Sequence, residues 1–293
     1  MIIHTLASED LSICVLPENG GAITQGVFQG QNFLAIPPYP AVEPKFLGTE
    51  NDWLAAWNGG WQPLLPNAGG QCLEGKYPQG FHGNASQTTW NVLEKSALSI
   101  SLVWSDENLH SQRSININEN EVSVLGSVVN LDSEPRPLIV TEHLVLGSDF
   151  LNSKITLEPV GSAQFRELEY DGSGKGTGFE PWERFQKNSW SSVTSQTPAR
   201  MGVFSDISCI RVSNENYEIE ISWDARNLPY LWIWEEMAYT QEQPWNGQYL
   251  ALGIEPSSAS DGVGLGGDSA KTLAVNEKFN WSVQLKIQKR ASK

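Results

Sequence analysis

Apolar and polar residues alternate along most of the chain, and this pattern limits the possible folds more than any other feature. The clearest example is Tyr217–Trp223, in which apolar residues occupy every second position and polar residues lie between them. Such alternation is typical of a β-strand with one buried face. It recurs in the segments 11–16, 98–104, 121–129, 138–146, 249–254 and 281–287. Turn-forming residues lie between them, at 17–21, 132–135 and 171–174.

Helical periodicity is confined to one short segment, 50–57. The chain has 293 residues, of which 40% are hydrophobic, and this is enough for a substantial core. It shows neither a linker-like composition nor an internal repeat of roughly 20 to 50 residues. The sequence therefore predicts an all-β fold, a large antiparallel sandwich formed by a single domain over residues 1–293.

Charge and composition exclude several classes of partner. The formal net charge is −15, from 19 basic and 34 acidic residues. Nucleic acids and anionic membranes attract basic surfaces, so we expect neither as a partner. We see no signal peptide and no apolar run near the about 20 residues of a membrane helix, so we expect a cytoplasmic protein. The three cysteines are widely spaced, which predicts neither a disulfide framework nor a zinc site.

The first candidate site is the segment 57–70, followed by His82 and by Gly83, a glycine that would let a ligand approach the backbone closely. Its glycines and prolines predict a loop. Yet the segment carries Trp57, Trp61, Gln62 and Asn67, whose side chains can stack on sugar rings and hydrogen-bond to their hydroxyl groups. The alternative is a tryptophan-rich loop that caps the sandwich, with His82 as an ordinary surface histidine.

The second candidate is His143, in the predicted strand 138–146. In a strand, its side chain shares one face with Ile139, Thr141 and Val145, whereas Glu142 lies on the opposite face. Both faces are mainly apolar, which predicts a central strand and a partly desolvated histidine. The alternative is a histidine that only fills the core.

The third candidate is Glu255, at the end of the predicted strand 249–254. Ala251 and Gly253 share its face and leave room for a ligand, and Pro256 is expected to end the ladder. A carboxylate at such a gap can act as a general base. The alternative is an exposed glutamate at a strand end.

A further segment, 232–236, could complete a binding cleft. Its two tryptophans share one side of a predicted strand, and we expect Trp234 to lie in the core. Glu235 lies on the other side and is a candidate ligand for a sugar hydroxyl.

In this order and spacing, these segments resemble the galactose mutarotase-like superfamily, which includes the aldose 1-epimerases. The segment 16–23 (LPENGGAI) resembles the first hairpin of the family, and 59–67 with His82-Gly83 resembles its first histidine region. Glu142-His143 before Gly147 resembles the second histidine region, and 252–256 (LGIEP) resembles the segment that carries the family's glutamate. The resemblance extends over nearly the whole chain.

The resemblance implies a β-supersandwich whose cleft binds a small sugar, without a metal or another cofactor. Glu255 would be the general base and His143 the general acid, and His82 would hydrogen-bond the sugar near the ring oxygen or a neighbouring hydroxyl. Two departures are evident. Family members commonly have an Asn-Arg pair where Asn67 is followed by alanine, and an asparagine where Glu142 precedes the second histidine. The sugar and the oligomeric state stay open.

Two functions from different classes therefore remain. One is an isomerase that interconverts the α and β anomers of a sugar, and the other is a non-catalytic carbohydrate-binding protein on the same scaffold. A structural or interaction module would bind no sugar at all, and the negative charge disfavours a sugar phosphate. For the isomerase, ordinary pKa values of about 4.3 for glutamate and 6.5 for histidine predict a carboxylate and an imidazolium together at mildly acidic to neutral pH.

Overall fold

A computed structural model describes residues 2–186, 198–242 and 245–290. Within these residues, the alternating segments form β-strands, and there are two short α-helices, α1 (Glu50–Ala56) and α2 (Glu183–Gln186). The strands are β1 (His4–Ala7), β2 (Leu11–Leu16), β3 (Ala22–Phe28), β4 (Gln31–Asn32), β5 (Trp61–Leu64), β6 (Asn91–Lys95), β7 (Ser99–Ser105), β8 (Leu109–Asn118), β9 (Glu121–Asn130), β10 (Arg136–Leu138), β11 (Thr141–Gly147), β12 (Thr156–Pro159), β13 (Gln164–Leu168), β14 (Glu180–Pro181), β15 (Arg200–Ser205), β16 (Cys209–Ser213), β17 (Tyr217–Trp223), β18 (Tyr230–Met237), β19 (Leu250–Ser257), β20 (Lys271–Leu273) and β21 (Lys278–Lys289). None of the helices described is both long enough and apolar enough to cross a membrane.

Two large antiparallel sheets contain most of these strands. The larger sheet has 11 strands in the order β1-β2-β3-β5-β11-β19-β18-β15-β13-β14, with β4 beside β3. The smaller sheet has eight strands in the order β12-β16-β17-β21-β9-β8-β7-β6, and β10 pairs with β20 alone. The architecture confirms the predicted all-β antiparallel sandwich.

The main hydrophobic core lies between the two large sheets. Ile219 of β17 and Leu285 of β21 belong to the same buried cluster as Leu144 of β11 and Ile254 of β19. Every second residue of β21 is buried for most of the strand, and its other residues face the solvent. The smaller sheet therefore has one buried face and one solvent-exposed face, as the alternation in its sequence predicts.

The centre of the larger sheet is covered on both faces. All seven residues of β11 are buried, as are seven of the eight residues of β19. A second hydrophobic cluster, which includes Trp53, Trp57, Trp232 and Tyr249, packs on the face that points away from the smaller sheet. We call this the outer face. It is where side chains of the central strands can be kept out of water without entering the main core.

The loop predicted for 57–70 is only partly correct, because its middle forms the central strand β5. Gly60 has a φ of +76°, and a Cβ there would lie 1.9 Å from the carbonyl oxygen of Ile23, so only glycine permits this approach to β3. β5 pairs with β3 through Trp61 alone. Pro63 therefore has a strand partner on one side only, β11, which is the situation in which a strand tolerates proline.

Candidate active site

A cavity of about 490 Å³ opens on the outer face of the larger sheet. Strands β11, β18 and β19 contribute His143, Trp234 and Glu255 to its lining. Helix α1 with the residue after it, and the loops around residues 69–71, 81–82 and 169–174, contribute much of the rest. The remaining lining residues are Leu168, Met201, Trp232, Trp245 and Gly262. Two of the three predicted catalytic residues thus reach the cavity from neighbouring central strands, and His82 reaches it from a loop.

His143 and Glu255 lie side by side because of the register between β11 and β19. Leu144 is opposite Ile254 in this antiparallel pair. His143, which precedes Leu144, is therefore across from Glu255, which follows Ile254, and both lie on the outer face. His143 Nε2 is 3.7 Å from Glu255 Oε1, and the two side chains are only 5% and 4% exposed. His143 therefore does more than fill the core, and Glu255 is not an exposed strand-end residue, because both line the cavity.

The backbone around Glu255 differs from the expectation in two details. A Cβ at Gly253 would lie 2.3 Å from Glu255 Oε1, so the room left by this glycine is taken up by the carboxylate itself. Pro256 does not end the ladder, because β19 continues to Ser257 and Pro256 is opposite Leu231 of β18.

Burial shifts the pKa of both groups toward their uncharged forms. Desolvation lowers the pKa of His143 to about 3 and raises the pKa of Glu255 well above its ordinary value. Within the described residues, no donor forms a hydrogen bond to the Glu255 carboxylate that would offset this cost. The imidazolium and carboxylate expected from ordinary pKa values are therefore replaced by a pair that favours neutral imidazole and carboxylic acid.

His82 is held in one orientation by Gly69. Its ring Nδ1 accepts a hydrogen bond from the Gly69 N–H at 2.9 Å, and its backbone N–H donates to the Gly69 carbonyl at 3.0 Å. Burial and the neighbouring His143 lower the pKa of His82 well below its ordinary value. With Nδ1 occupied as an acceptor, the neutral ring carries its proton on Nε2. His82 is thus a donor, at a backbone φ of +60°.

Gly83 does not have the role expected from sequence. A Cβ there would lie 2.4 Å from the carbonyl oxygen of Leu65 and 2.7 Å from that of Asn67. The glycine permits close packing of two protein segments and does not bring the backbone close to a ligand.

Aromatic side chains form much of the cavity wall. Trp57 lies there as predicted, stacked on Trp53 with ring centroids 5.8 Å apart and an angle of 22° between the planes. Its indole N–H has no hydrogen-bond partner in the described structure. Trp234 was expected in the core, but it lines the cavity and donates its indole N–H to the Tyr170 hydroxyl at 2.9 Å.

Trp61 and Gln62, expected to contact substrate, have structural partners instead. Trp61 points into the main core, where its indole N–H donates to Glu142 at 2.7 Å. Gln62 donates to the Ser86 carbonyl at 2.8 Å and is 2% exposed. Neither is part of the cavity lining in the described residues: Trp61 faces the main core, and the Gln62 amide is bonded to the Ser86 carbonyl.

Asn67 and Glu235 are also placed outside that lining. Asn67 is completely buried, and its amide bonds to the carbonyls of Gly70 and Gly80 and to the N–H of Leu265, which joins three loops. Glu235 is on the side of β18 opposite Trp234 and accepts a hydrogen bond from Arg200 at 2.6 Å. The sequence interpretation of both as sugar ligands is corrected by these contacts.

Several cavity residues were not anticipated. Glu50, Trp53 and Leu54 line the cavity from α1, together with Trp57 just beyond its end. Their spacing of three, four and seven residues is that of one helical face, and this pattern could have identified them. Tyr170 and Trp245 come from loops, where no periodicity indicates a direction.

Among the described residues, no three or more His, Cys, Asp or Glu side chains are grouped so as to hold a metal ion.

No family model and no curated protein matches this chain. Its structure is similar to solved ones over almost its full length. The Slr1438 protein from Synechocystis sp. PCC 6803 has a TM-score of 0.73 at 16% identity, covering 99% of this chain and 96% of that one. A galactose mutarotase related enzyme from Lactobacillus acidophilus has a TM-score of 0.70 at 15% identity, covering 98% and 97%.

A galactose mutarotase-like protein from Clostridium acetobutylicum is similar to the same degree. Its TM-score is 0.69 at 17% identity, with coverage of 98% of this chain and 95% of that one. The fold of this chain is therefore that of the galactose mutarotase-like proteins.

Proposed function

We propose that this protein is an aldose 1-epimerase-like isomerase, which interconverts the α and β anomers of a sugar. The observation that carries the proposal is the pair formed by His143 and Glu255, 3.7 Å apart in the wall of the cavity. Both side chains are almost completely buried, yet both border a space that a ligand can enter. An acid and a base with strongly shifted pKa values in a cleft are typical of a catalytic site.

The size and the walls of the cavity suit a sugar. Its volume of about 490 Å³ lies within the range of about 300–1,000 Å³ of small-molecule sites. The indole faces of Trp53, Trp57 and Trp234 can pack on the apolar faces of a pyranose ring. His82 supplies a fixed donor for a sugar oxygen.

The reaction needs two proton transfers. The C1 hydroxyl loses its proton to Glu255, and the ring oxygen takes a proton from His143 as the bond between C1 and the ring oxygen breaks. The open aldehyde then rotates about its C1–C2 bond. The hydroxyl group formed from the ring oxygen then attacks the other face of the carbonyl. Both protons return to their original groups, and the ring closes as the second anomer. No atom is gained or lost.

The shifted pKa values fit this scheme when the two groups are treated as one unit that holds a single proton. Neutral histidine with protonated glutamate, and imidazolium with carboxylate, are two forms of that unit. The hydroxyl groups of a bound sugar would donate hydrogen bonds to Glu255, to which no described residue donates, and would thereby stabilise the carboxylate form. We expect activity to fall when His143 is also protonated, toward pH 3, and again above the raised pKa of Glu255.

The test is anomer exchange measured by NMR saturation transfer over a panel of free aldoses. Glu255→Gln and His143→Asn should each slow exchange by about 10²–10⁴-fold, the usual contribution of one acid or base. Glu94→Gln on β6 and His110→Asn on β8 are matched controls, because both residues lie outside the cavity lining. Exchange by Glu255→Gln at the wild-type rate would overturn the assignment.

The second candidate, a non-catalytic carbohydrate-binding protein, is favoured by one observation. Burial keeps His143 and Glu255 in their uncharged forms, which hydrogen-bond to a sugar without transferring protons. Sugar binding without exchange in the wild type, and unchanged in Glu255→Gln, would select this function.

A further inference from the structure

Ser86 is completely buried behind the wall of the cavity and is not part of the described lining. It belongs to a short 3₁₀ helix (Asn84–Gln87) that follows His82 and Gly83. Its hydroxyl accepts a hydrogen bond from the Trp53 indole N–H at 2.9 Å and donates one to the Gly83 carbonyl at 2.8 Å. Both bonds are buried, where a hydrogen bond is electrostatically stronger than in water. One hydroxyl thus connects a wall residue of the cavity to the turn that carries His82.

The backbone of Ser86 is itself held by neighbouring segments. Its N–H donates to the Gly83 carbonyl at 3.2 Å, and its carbonyl accepts the Gln62 side-chain N–H from β5 at 2.8 Å. A Cβ at Gly20 would lie 2.0 Å from the Ser86 carbonyl oxygen, so the turn between β2 and β3 packs directly against it. Ser86 is therefore fixed to the larger sheet and can hold other groups in place.

Trp53 contacts both histidines of the cavity. Its ring centroid is 4.6 Å from that of His82 and 5.5 Å from that of His143, and both histidine rings are nearly perpendicular to the indole, at 81° and 82°. Edge-to-face contacts of this kind depend on the orientation of the indole. Rotation of the indole would break its bond to Ser86, which would leave a buried N–H to find another acceptor. Ser86 therefore fixes the surface against which both histidine rings pack.

The second bond of the hydroxyl acts on the chain next to His82. The φ of His82 is +60°, a value that is uncommon for a residue with a Cβ. Such a backbone persists where the surrounding contacts hold it. Gly69 holds the ring and the N–H of His82, and Ser86 holds the carbonyl of the next residue, Gly83, through both its hydroxyl and its N–H.

We propose that Ser86 is a positioning residue, whose hydroxyl holds His82 and, through Trp53, also His143 in the orientations that anomer exchange requires. The inference rests on the proposed function, since it concerns the preorganisation of the same site. Ser86 does not line the cavity, so it acts on the reaction only through these side chains. A misplacement of about 1 Å in a reacting group can cost about 10²-fold in rate. The lining residues that bind the sugar stay the same.

The kinetic test is Ser86→Ala, which removes one oxygen atom and both bonds of the hydroxyl. Anomer exchange of glucose, galactose and xylose is measured by saturation transfer over a range of sugar concentrations. We expect kcat to fall by about 10–10²-fold with KM nearly unchanged. The matched control is Ser111→Ala on β8, which removes the hydroxyl of another completely buried serine, bonded to the Ser127 carbonyl at 2.9 Å. It should keep the wild-type kcat, and a wild-type kcat in Ser86→Ala would overturn the inference.

Ser86→Cys separates the hydrogen bonds from the space that the side chain fills. The thiol occupies the site, but it is a weak donor and a weak acceptor. We therefore expect kcat to be as low as in Ser86→Ala. A wild-type kcat in Ser86→Cys would show that the hydroxyl is not what holds the histidines.

A spectroscopic measurement tests the orientation of His82 without any substrate. ¹⁵N-labelled histidine gives ring signals for the four histidines of the chain, and His82→Asn identifies those of His82. In the wild type they should be those of one neutral tautomer with the proton on Nε2, because Nδ1 accepts from Gly69. In Ser86→Ala the two ring ¹⁵N frequencies should approach each other, since a loosened ring samples both tautomers. Ser111→Ala should leave them unchanged, and unchanged signals in Ser86→Ala would overturn the inference.

The two measurements keep this inference separate from the proposed function. Anomer exchange by the wild type, with an unchanged kcat and unchanged His82 signals in Ser86→Ala, would support the isomerase and overturn the positioning role. Altered His82 signals in Ser86→Ala, with no anomer exchange by the wild type on any aldose, would support the contact between Ser86 and the His82 turn and overturn the isomerase.

Discussion

Two buried glutamates on neighbouring strands of the larger sheet have opposite surroundings. Glu142 of β11 points into the main core, where it accepts hydrogen bonds at 2.7 Å from Arg113, Trp61 and Trp281. Glu255 of β19 points to the outer face, where no hydrogen bond to it forms within the described residues and its pKa is raised. The side chains are 0% and 4% exposed, so burial alone does not separate them.

The difference lies in what faces each carboxylate. The inner face meets the smaller sheet, whose strands β8 and β21 bring a guanidinium and an indole to Glu142. That carboxylate is held by three hydrogen-bond donors and serves the structure. The outer face meets a cavity, so Glu255 keeps acceptor positions that no donor among the described residues occupies. In this protein, the side chains that complete a buried carboxylate decide whether it stabilises the fold or is available for chemistry.

The largest expected effect comes from breaking the inner site. Glu142→Leu leaves the Arg113 guanidinium buried without its counter-ion, and we expect the free energy of unfolding to fall by about 3–5 kcal/mol. Denaturant unfolding measures this loss. Glu255→Gln should change the free energy of unfolding by less than about 1 kcal/mol or increase it. It removes a desolvated carboxyl group that accepts no hydrogen bond from the described residues.

A double variant distinguishes the lost ion pair from a general effect of substitution. Arg113→Met combined with Glu142→Leu removes both charges, and the loss caused by the unpaired guanidinium should return, whereas the loss from the unpaired Trp61 and Trp281 N–H groups should remain. A double variant that is less stable than Glu142→Leu alone would contradict the interpretation that the unpaired guanidinium is the cause.

The strand pattern of the fold and the directions of His143 and Glu255 could be predicted from the sequence for a simple reason. Alternation with a period of two specifies the face of every strand residue, so the opposite directions of Glu142 and His143 follow from adjacency alone. The common direction of Ala251, Gly253 and Glu255 follows in the same way. That the two strands are neighbours was not predicted, since spacing along the chain does not specify pairing; the resemblance implied only that both side chains share one cleft.

The loop contacts were not accessible in this way. Trp61 and Gln62 were interpreted as a polar-aromatic loop because glycine and proline surround them, yet tertiary pairing with β11 makes them a strand. Asn67 has the chemistry of a sugar ligand but bonds to three backbone groups, one in its own loop and two in other loops. Which polar side chain faces a ligand and which closes a loop is decided by packing between segments far apart in sequence.

The second prediction uses pH to sharpen the comparison on the outer face. The pKa of Glu255 is raised in the folded protein above its ordinary value of 4.5, so the folded state holds this proton to higher pH than the unfolded chain. Its contribution to stability is present below pH 4.5 and is lost as the pH rises through the raised pKa. The loss is at most about 1.4 kcal/mol per pH unit.

Glu255→Gln lacks this titration, so its stability relative to the wild type should increase over that pH range. His143 works in the opposite direction: its pKa is lowered, so its contribution is present above pH 6.5 and is lost as the pH falls toward 3. Both proteins retain it. Thermal or denaturant unfolding between pH 4.5 and 8 measures the difference, and parallel curves for the two proteins would contradict a raised pKa for Glu255.

The smallest effect is expected at the mouth of the cavity, where water can replace a lost partner. Tyr170→Phe removes the oxygen that accepts the Trp234 indole N–H at 2.9 Å. Because Tyr170 is 50% exposed, we expect the free energy of unfolding to fall by no more than about 1 kcal/mol. Tyr239→Phe, at an equally exposed tyrosine outside the lining, is the matched control and should change nothing measurable. A loss in Tyr170→Phe as large as that in Glu142→Leu would mean that the outer face depends on its hydrogen bonds as strongly as the inner one, and the contrast between the two faces would not hold.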